Sequence, residues 1–544
     1  MSRRLAAPLA LTAATGLVAL GLPLLTPAQA ASAPLSFRRT ELAPQGAFGE
    51  PSLALSDDGK HINVCVPGGA GDTSNWYSSD DGHTFGTSQT TSSTGSGGGD
   101  CELEYMPNGT LLNADLEITD SDIHYSKDFG KTWLGTQTAG VEQDRQWFAH
   151  SKDGKKAYLV YHDFAAEGEF YAQSNDGGLT WPKELAAQPV NNTDQLALPG
   201  SGAGKPGDPA SIIDQGGNTF SGPMVISPDG KDKYVVYSIS DAASNATSST
   251  PPYGPTRGIV VAHEGPEATS FTNQYAVPGD GKSVSGAIFP WGTVDSAGNV
   301  YVLFNSDKGS PTHFHTYYVY STNKAKTWSA PVKVDDVPLG VGAQIYATGD
   351  GGAPGVLDIA WYGEKGAGGP ADPSSVWDIN FAQVRNATSA HPSITRQPVA
   401  PGNPMHKGDI CLNGLLCVLG GDRSLADFIE LQIGKDGMAQ IAYADNDGYG
   451  TNPPSTTGGL QGKPGRPKGL VIWAKQVGGQ SAYSATPVAL PVTKPAAVPP
   501  ATAPSAGSGA TGSNLAATGL STVLPGAALL LLLSAAVVRR RRVG

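Results

Sequence analysis

The sequence predicts an all-β protein built as a single β-propeller, with seven four-stranded blades favoured and six blades as the alternative. Three observations predict it. An apolar strand, a turn rich in Asp and Gly and a second apolar strand recur seven times. A further segment rich in Tyr, Trp and Val follows each recurrence, and helical periodicity is hard to find within residues 31–487. Radial repetition of such units closes a ring, so one domain can be this long without a large layered core.

The seven inner hairpins are identified by their turn chemistry, which is Asp-Gly or Asn-Gly between β-rich runs in most copies. They begin at Pro51, Leu103, Gln146, Pro223, Phe289, Ala343 and Asp427. The segments behind them read "SNWYSS", "DSDIHYS", "GEFYAQS", "RGIVVAH", "FHTYYVYS", "VWDINFAQV" and "GLVIWAK". We expect the last strands near "SAYSATPVAL" to close the ring.

The N-terminal segment, residues 1–30, predicts a secretory signal peptide. Two arginines precede a long apolar run, and the small-residue site "AQA" ends it, so cleavage after Ala30 is expected. A transmembrane anchor is the alternative for this segment. The propeller domain then spans residues 31–487.

The C-terminal segments predict a tether. Residues 488–514 are rich in Pro, Ala, Thr, Ser and Gly, which is typical of an extended linker. Residues 515–544 contain "LAATG", an apolar span and four arginines, and this order resembles a sortase cell-wall sorting signal of high-GC Gram-positive bacteria. The resemblance implies that sortase attaches Thr518 to peptidoglycan. A plain transmembrane anchor is the alternative.

Charge and cysteine content narrow the class of protein. The net charge of −12 includes six arginines in the two terminal segments, which hold no Asp or Glu, so residues 31–518 carry −18. So acidic a surface argues against nucleic acid as a partner. Four cysteines in an exported chain predict disulfides, with three pairings open. We favour Cys65 with Cys101 and Cys411 with Cys417, and zinc binding is the alternative.

One short phrase recurs behind four hairpins, as "YSSDDGHTF", "YSKDFGKTW", "QSNDGGLTW" and "YSTNKAKTW". The pattern S-x-D-x-G-x-T-W is the Asp-box, or BNR repeat, and the chain resembles the sialidase-like Asp-box propellers. The resemblance implies that the box joins the third and fourth strands of a blade on the outer rim, which makes it structural. Its central residues here are Asp80, Asp128, Asp176 and Asn323.

Chemistry is expected where the innermost strands begin, because their first residues line the mouth of the central channel. Those residues are Glu50, Asp100, Glu102, Glu104, Asp144, Arg145, Trp147, Asp208, Trp291, Gln344, Tyr346, Asp422, Arg423, Asp427 and Glu430. We select as catalytic candidates Asp144, Arg145, Asp422, Arg423 and Glu430. We select as substrate-binding candidates Arg257, Trp147, Tyr346 and Asp427.

The resemblance implies how such a site would work. Sialidases hold a sugar carboxylate with three arginines, and they use a Tyr nucleophile with a Glu and an Asp acid/base. Arg145 and Arg423 are placed for the first task, with Arg257 as a third, whereas the Arg-Ile-Pro or Arg-Leu-Pro signature is absent. The alternatives are structural: the arginines tie blades together as ion pairs, the carboxylates cap turns, and the aromatic rings pack between blades.

Two functions follow from this pattern. The first is a cell-surface glycoside hydrolase, exo-sialidase-like, acting on extracellular glycans. The second is a non-catalytic glycan-binding propeller or adhesin on the cell wall. We expect a monomer without a cofactor or metal; calcium at "DNDGYG", which begins at Asp445, is the alternative, although the later acidic ligand of an EF-hand is missing.

Overall fold

The computed structural model describes residues 34–42, 49–68, 73–90, 99–117, 120–139, 143–163, 168–181, 188–190, 218–242, 253–286, 289–308, 310, 313–337, 342–412, 422–446 and 470–484. These ranges contain 29 β-strands. Within them there is no helix, so none that could cross a membrane. Both terminal segments, residues 1–30 and 488–544, lie outside the described ranges, so their predicted roles stay predictions.

The strands form seven antiparallel sheets, and chain order gives the order within six of them. The first three blades are β2 (Ser52–Leu55), β3 (Ile62–Pro67), β4 (Thr73–Ser78), β5 (Gly86–Gln89); β6 (Cys101–Tyr105), β7 (Leu111–Leu116), β8 (Ser121–Ser126), β9 (Leu134–Ala139); and β10 (Gln143–His150), β11 (Ala157–Asp163), β12 (Gly168–Ser174), β13 (Gln188–Pro189).

The next three blades are β14 (Asn218–Ile226), β15 (Lys233–Ala242), β16 (Tyr253–Glu264), β17 (Thr272–Pro278); β18 (Trp291–Val294), β19 (Val300–Ser306), β20 (His315–Ser321), β21 (Val332–Lys333); and β22 (Gln344–Gly351), β23 (Val356–Glu364), β24 (Val376–Arg385), β25 (Ser393–Pro398). In blade 6 the short strand β26 (His406–Lys407) also pairs with β24. Each innermost strand contacts that of the next blade, and β27 contacts β2, so the ring is closed. The prediction of seven blades is confirmed.

Blade 7 joins the two ends of the domain. It contains β27 (Glu430–Ile433), β28 (Ala439–Asp445) and β29 (Leu470–Gln476), and its fourth strand is β1 (Phe37–Glu41) from the N-terminus. Phe37 pairs with Gln476 and Glu41 with Ile472. The expectation that strands near "SAYSATPVAL" close the ring is therefore wrong, because β1 already occupies the outer edge of β29. Residues 477–484 instead follow β29 as a short turn-rich segment.

The core lies between the blades, where the alternating faces of neighbouring sheets pack together. Strands β3, β11, β19, β23, β28 and β29 are almost wholly buried. Burial of each large aliphatic side chain stabilises the fold by about 1.5–3 kcal/mol. Blades 1 and 2 are also joined covalently by the predicted disulfide between Cys65 on β3 and Cys101 on β6. The other predicted pair involves Cys417, which lies outside the described residues.

The recurring phrase forms the same turn in four blades, between the third and fourth strands. In blade 2, the Asp128 carboxylate accepts from the Ser126 hydroxyl at 2.8 Å, the Thr132 amide at 2.9 Å and the Thr132 hydroxyl at 2.7 Å. Asp80 and Asp176 make the same three bonds. Asn323 reproduces them in blade 5, with its amide nitrogen donating to Thr327. The phrase thus repeats because several blades use one turn design.

The inner edges of the innermost strands are hydrogen-bonded by side chains of neighbouring blades. Glu430 on β27 accepts from the Leu53 amide of β2 at 2.7 Å. The Ser52 hydroxyl of β2 accepts from the Leu103 amide of β6 at 3.1 Å. These bonds satisfy strand-edge groups that would otherwise be buried without partners. The first bond also places the Glu430 carboxyl group in the channel wall.

Candidate active site at the channel mouth

The innermost strands all begin at one face of the ring, which we call the upper face, and all end at the lower face. Four residues at or near these starts have a positive φ although they are not glycine: Glu50 (62°), Arg145 (42°), Tyr346 (57°) and Ala426 (52°). β-Bulges interrupt β10 between Asp144 and Gln146 and β22 between Ile345 and Thr348. Strained backbone and bulges are concentrated at functional sites, where they re-aim side chains.

The Arg145 side chain is buried in the protein interior and is only 1% exposed. One terminal nitrogen is 2.7 Å from the Glu102 carboxylate, and the other donates to the carbonyls of Cys101 at 3.1 Å and Gln146 at 2.8 Å. Its guanidinium carbon also lies 3.6 Å from the ring centroid of Trp147 and 4.1 Å from that of Phe428. The alternative that this arginine ties blades together therefore describes its position better than the role of holding an anionic ligand.

Aromatic rings from different blades meet around Trp147. Its ring centroid lies 5.3 Å from Trp291 of blade 5, 5.3 Å from Phe428 at the start of blade 7 and 5.8 Å from Phe289. Trp147 is 0% exposed, and its indole nitrogen donates to the Ser221 carbonyl at 2.9 Å. Trp147 therefore packs with other rings in this structure and offers no face to a sugar, contrary to the role expected for it.

A second cluster at the upper face combines one guanidinium with several carboxylates. Arg423 makes a two-pronged ion pair with Asp427, and it also lies 3.3 Å from Glu50. The Tyr346 hydroxyl donates to the Ala426 carbonyl at 2.6 Å and so fixes the turn that carries Asp427. Three blades therefore contribute to this cluster, because Glu50 comes from blade 1, Tyr346 from blade 6 and Arg423 from blade 7.

Glu50 also interacts electrostatically with Asp100, which precedes β6. Burial raises the pKa of Glu50 well above its usual value; Asp100 and Asp427 raise it further, against the lowering effect of Arg423. A nearby negative charge disfavours ionisation of a carboxyl group, and burial disfavours it further. Glu50 is 4% exposed, whereas Asp100 is more open to solvent. Glu50 therefore keeps its proton to a higher pH than an ordinary glutamate, and the more exposed Asp100 side chain lies beside it.

The remaining catalytic candidates take different positions. Asp422 is 2% exposed and accepts from the amide and hydroxyl of Ser424 at 3.0 and 2.7 Å, so it caps the turn before blade 7. Glu430 lies deeper, in the channel wall, where burial raises its pKa to about 8. Asp144 lies opposite His162 in the backbone register of β10 and β11. The side chain of Asp144 lies outside the described part of the structure.

Arg257 is not brought to the other two arginines. It lies on β16, the third strand of blade 4, beside Tyr275. Two strand spacings separate β16 from the innermost strand, which is roughly 9–10 Å. A triad of convergent arginines therefore does not form among Arg145, Arg257 and Arg423 in this structure.

Sequence reasoning placed Glu50 and Asp100 at strand starts but did not choose them as candidates. The signal was present, since each is an acidic residue immediately ahead of an inner hairpin, "EPSLAL" and "DCELEY". What the sequence does not show is that the two side chains meet across neighbouring blades. No cluster of three or more potential metal ligands occurs in the described ranges. Most of "DNDGYG" lies outside them, so the calcium alternative is untested.

The chain is similar in fold to several solved carbohydrate-active proteins. A polysaccharide lyase, ulvan lyase bound to a GlcA-Rha3S saccharide, is 11% identical, with a TM-score of 0.47 over 75% of this chain and 93% of that chain. An α-L-arabinanase from Penicillium chrysogenum is 14% identical, with a TM-score of 0.36 over 69% and 92%. An intramolecular trans-sialidase from Ruminococcus gnavus is 12% identical, with a TM-score of 0.35 over 74% and 91%.

At these scores the similarity carries no argument about activity. No protein-family model and no curated protein matches the chain. The class of protein is therefore defined by its own strand pairing: a seven-bladed β-propeller with an acidic cluster at the upper mouth of its channel.

Proposed function

We propose that this protein is an exported, surface-anchored glycoside hydrolase of the sialidase-like Asp-box kind, acting on extracellular glycans. The observation that carries the proposal is the cluster in which Arg423 contacts both Asp427 and the buried Glu50, with Asp100 as the acidic neighbour of Glu50. Glycoside hydrolysis needs one carboxyl that holds a proton and a second that is ionised. The cluster offers carboxyl groups for both roles at one site.

The roles follow from the surroundings of each group. The proton held by Glu50 passes, by way of the more accessible Asp100, to the leaving glycosidic oxygen. Asp427, which contacts the Arg423 guanidinium, serves as the opposing carboxylate, either attacking the anomeric carbon or activating a water that does so. The bond from the anomeric carbon to the leaving oxygen breaks, and the leaving group departs as an alcohol.

Exo-sialidase specificity requires one further step. Arg423 is already engaged by Asp427 and Glu50, so it must exchange one of them for the sugar carboxylate. The mouth otherwise presents carboxylates, which disfavour an anionic ligand. Sialyl, uronyl and neutral glycosides are therefore separate arms of the test.

The first prediction is that Asp100→Asn and Glu50→Gln each lower kcat at least a hundredfold on the glycosides the protein cleaves, because the first removes the relaying carboxyl group and the second removes the proton donor. The measurement is turnover of the three glycoside classes by the purified protein. Asp358→Asn is the matched control, since Asp358 is a buried acid on β23 in blade 6. Glycan binding without turnover by the unmodified protein would reject the hydrolase and favour the adhesin.

The two ends of the domain support an outward-facing site. Phe37 and Gln476 pair at the lower face, where β1 begins and β29 ends. The following segment stays there, since the Ala482 amide donates to Gly437 at 2.7 Å and the Ala482 carbonyl accepts from Ala353 at 2.9 Å. Residue 484 therefore lies at the face opposite the channel mouth, which suits a site that faces away from a C-terminal anchor.

The second prediction tests this anchoring. Thr518→Ala should release the protein into the medium or leave it in the membrane fraction, because the substitution removes the threonine side chain by which sortase is expected to recognise the motif before it cleaves the 518–519 peptide bond. The measurement is the share of protein freed by wall-digesting enzymes compared with detergent alone. A conservative Thr518→Ser variant is the control. Unchanged wall attachment of Thr518→Ala would refute the sortase proposal.

A further inference from the structure

A cleft of about 500 Å³ opens between the outer parts of blades 4 and 5, away from the channel. One side is the outer strand β17, and the other is the segment at 326–331 that leads into β21. The cleft lies where two outer strands differ in length, because β17 has seven residues and β21 only two. The short edge strand leaves the neighbouring sheet uncovered. A volume of this size is typical of small-molecule sites.

Two ammonium groups and two aromatic rings line this cleft. Lys308 and Lys326 contribute the charges, and Tyr275 and Trp328 contribute half-buried rings. The Lys308 ammonium lies 4.9 Å from the ring centroid of Tyr317, which keeps it at one wall. Positive charge at this place contrasts with the net charge of −12 for the chain.

One carboxylate also lines the cleft, and its contacts show that it serves the local turn. Asp280 accepts from the Ser283 amide at 2.7 Å, the Ser283 hydroxyl at 2.6 Å and the Lys282 amide at 2.9 Å. These bonds lower the pKa of Asp280 to about 2. Three donors thus offset its charge, while the two lysines remain the cationic groups of the cleft.

Trp328 differs from the tryptophans at the same repeat position in other blades. The Trp133 indole nitrogen donates to Ser88 at 3.1 Å, and that of Trp181 donates to Gly178 at 3.0 Å. The Trp328 indole nitrogen has no acceptor among the described residues, and neither has the Tyr275 hydroxyl a partner there. Both of these polar atoms are buried, so a ligand in the cleft meets the half-buried ring surfaces and the two lysines.

We propose that the blade 4–5 cleft binds an anionic saccharide. A carboxylate or sulfate group lies near Lys308 and Lys326, and a sugar ring packs against Trp328. Amphipathic rings combined with a few placed polar groups suit this ligand, since a pyranose has an apolar face and hydroxyls at its edge. This site is separate from the channel mouth, so it stands or falls independently of the proposed hydrolase.

The test measures binding by isothermal titration calorimetry to Glu50→Gln protein, in which turnover is expected to be blocked. The probes are a galacturonate hexasaccharide, a sulfated chondroitin hexasaccharide and neutral cellohexaose. The double substitution Lys308→Gln and Lys326→Gln should weaken binding of an anionic probe about tenfold, the sum expected for two solvent-exposed ion pairs. Lys131→Gln is the matched control, because Lys131 occupies the position of Lys326 in the blade 2 repeat.

Unchanged affinity in Lys131→Gln, with the loss confined to the double variant, supports the proposal and distinguishes the cleft from general charge. Trp328→Ala should also weaken binding, although its ring packs against the blade core, so the lysine variant decides. The proposal is overturned if the protein binds neither anionic probe, if cellohexaose binds as tightly as they do, or if Lys131→Gln loses as much affinity as the double variant.

Discussion

Replacing Arg145 with alanine should destabilise the propeller and lower its free energy of unfolding by about 3–5 kcal/mol. The guanidinium is buried and is the cation beside Glu102 at 2.7 Å. Its removal leaves that carboxylate buried without its partner. It also removes the group packed between the rings of Trp147 and Phe428. Urea unfolding followed by tryptophan fluorescence measures the loss.

A double variant separates charge from packing. Arg145→Met with Glu102→Gln removes both charges and keeps side-chain volume, and replacement of a buried ion pair by groups of similar size is often neutral. We expect it to recover most of the lost stability and to leave glycan binding and turnover intact. If Arg145→Ala instead kept full stability and lost ligand binding, Arg145 would be a ligand-binding residue and the packing role would be wrong.

The propeller itself could be predicted because its signal is local. Each inner hairpin carries its turn residues within one short segment, as "SDDGKHI" and "SPDGKDK" do, and seven such segments fix the blade number. The closing strand could not be found in this way. Phe37–Glu41 pairs with residues more than 400 positions along the chain, and "FRRTE" has no turn or apolar alternation that points to that partner.

The candidate site was predictable in position but not in pairing. Arg145 lies at the start of the innermost strand β10, and Arg423 lies in the turn region that precedes β27, as their order in the sequence indicates. Their partners come from other blades: Glu102 from blade 2 and Glu50 from blade 1. Only the closed ring brings these residues together, so spacing along the chain does not show which carboxylates meet the arginines. The fold likewise decides that Trp147 packs inside instead of facing a ligand.

The channel wall also contains a buried acidic pair that should make stability depend on pH. Glu430 of blade 7 and Glu102 of blade 2 both interact with the hydroxyl of Ser52, which lies between them in blade 1. Burial is the main cause that raises the pKa of Glu430 to about 8, and the charge of Glu102 raises it further. Near neutral pH, Glu430 therefore keeps a proton in the folded state, whereas it is ionised in the unfolded chain, whose ordinary glutamate pKa is about 4.3.

The last prediction follows from the sign of this shift. Because the folded state binds the extra proton, the stabilising contribution of Glu430 is complete below about pH 4.3 and is lost as pH rises to about 8. Its full size is at most about 5 kcal/mol. Glu430→Gln cannot ionise, so its free energy of unfolding should fall less between pH 5 and pH 8 than that of the unmodified protein. Urea titrations at both pH values measure this difference in slope, which is independent of any constant cost of the substitution. Equal slopes for the two proteins would mean that Glu430 is ionised in the folded channel wall at neutral pH, with its charge balanced by the Leu53 amide and Gln432 that contact it.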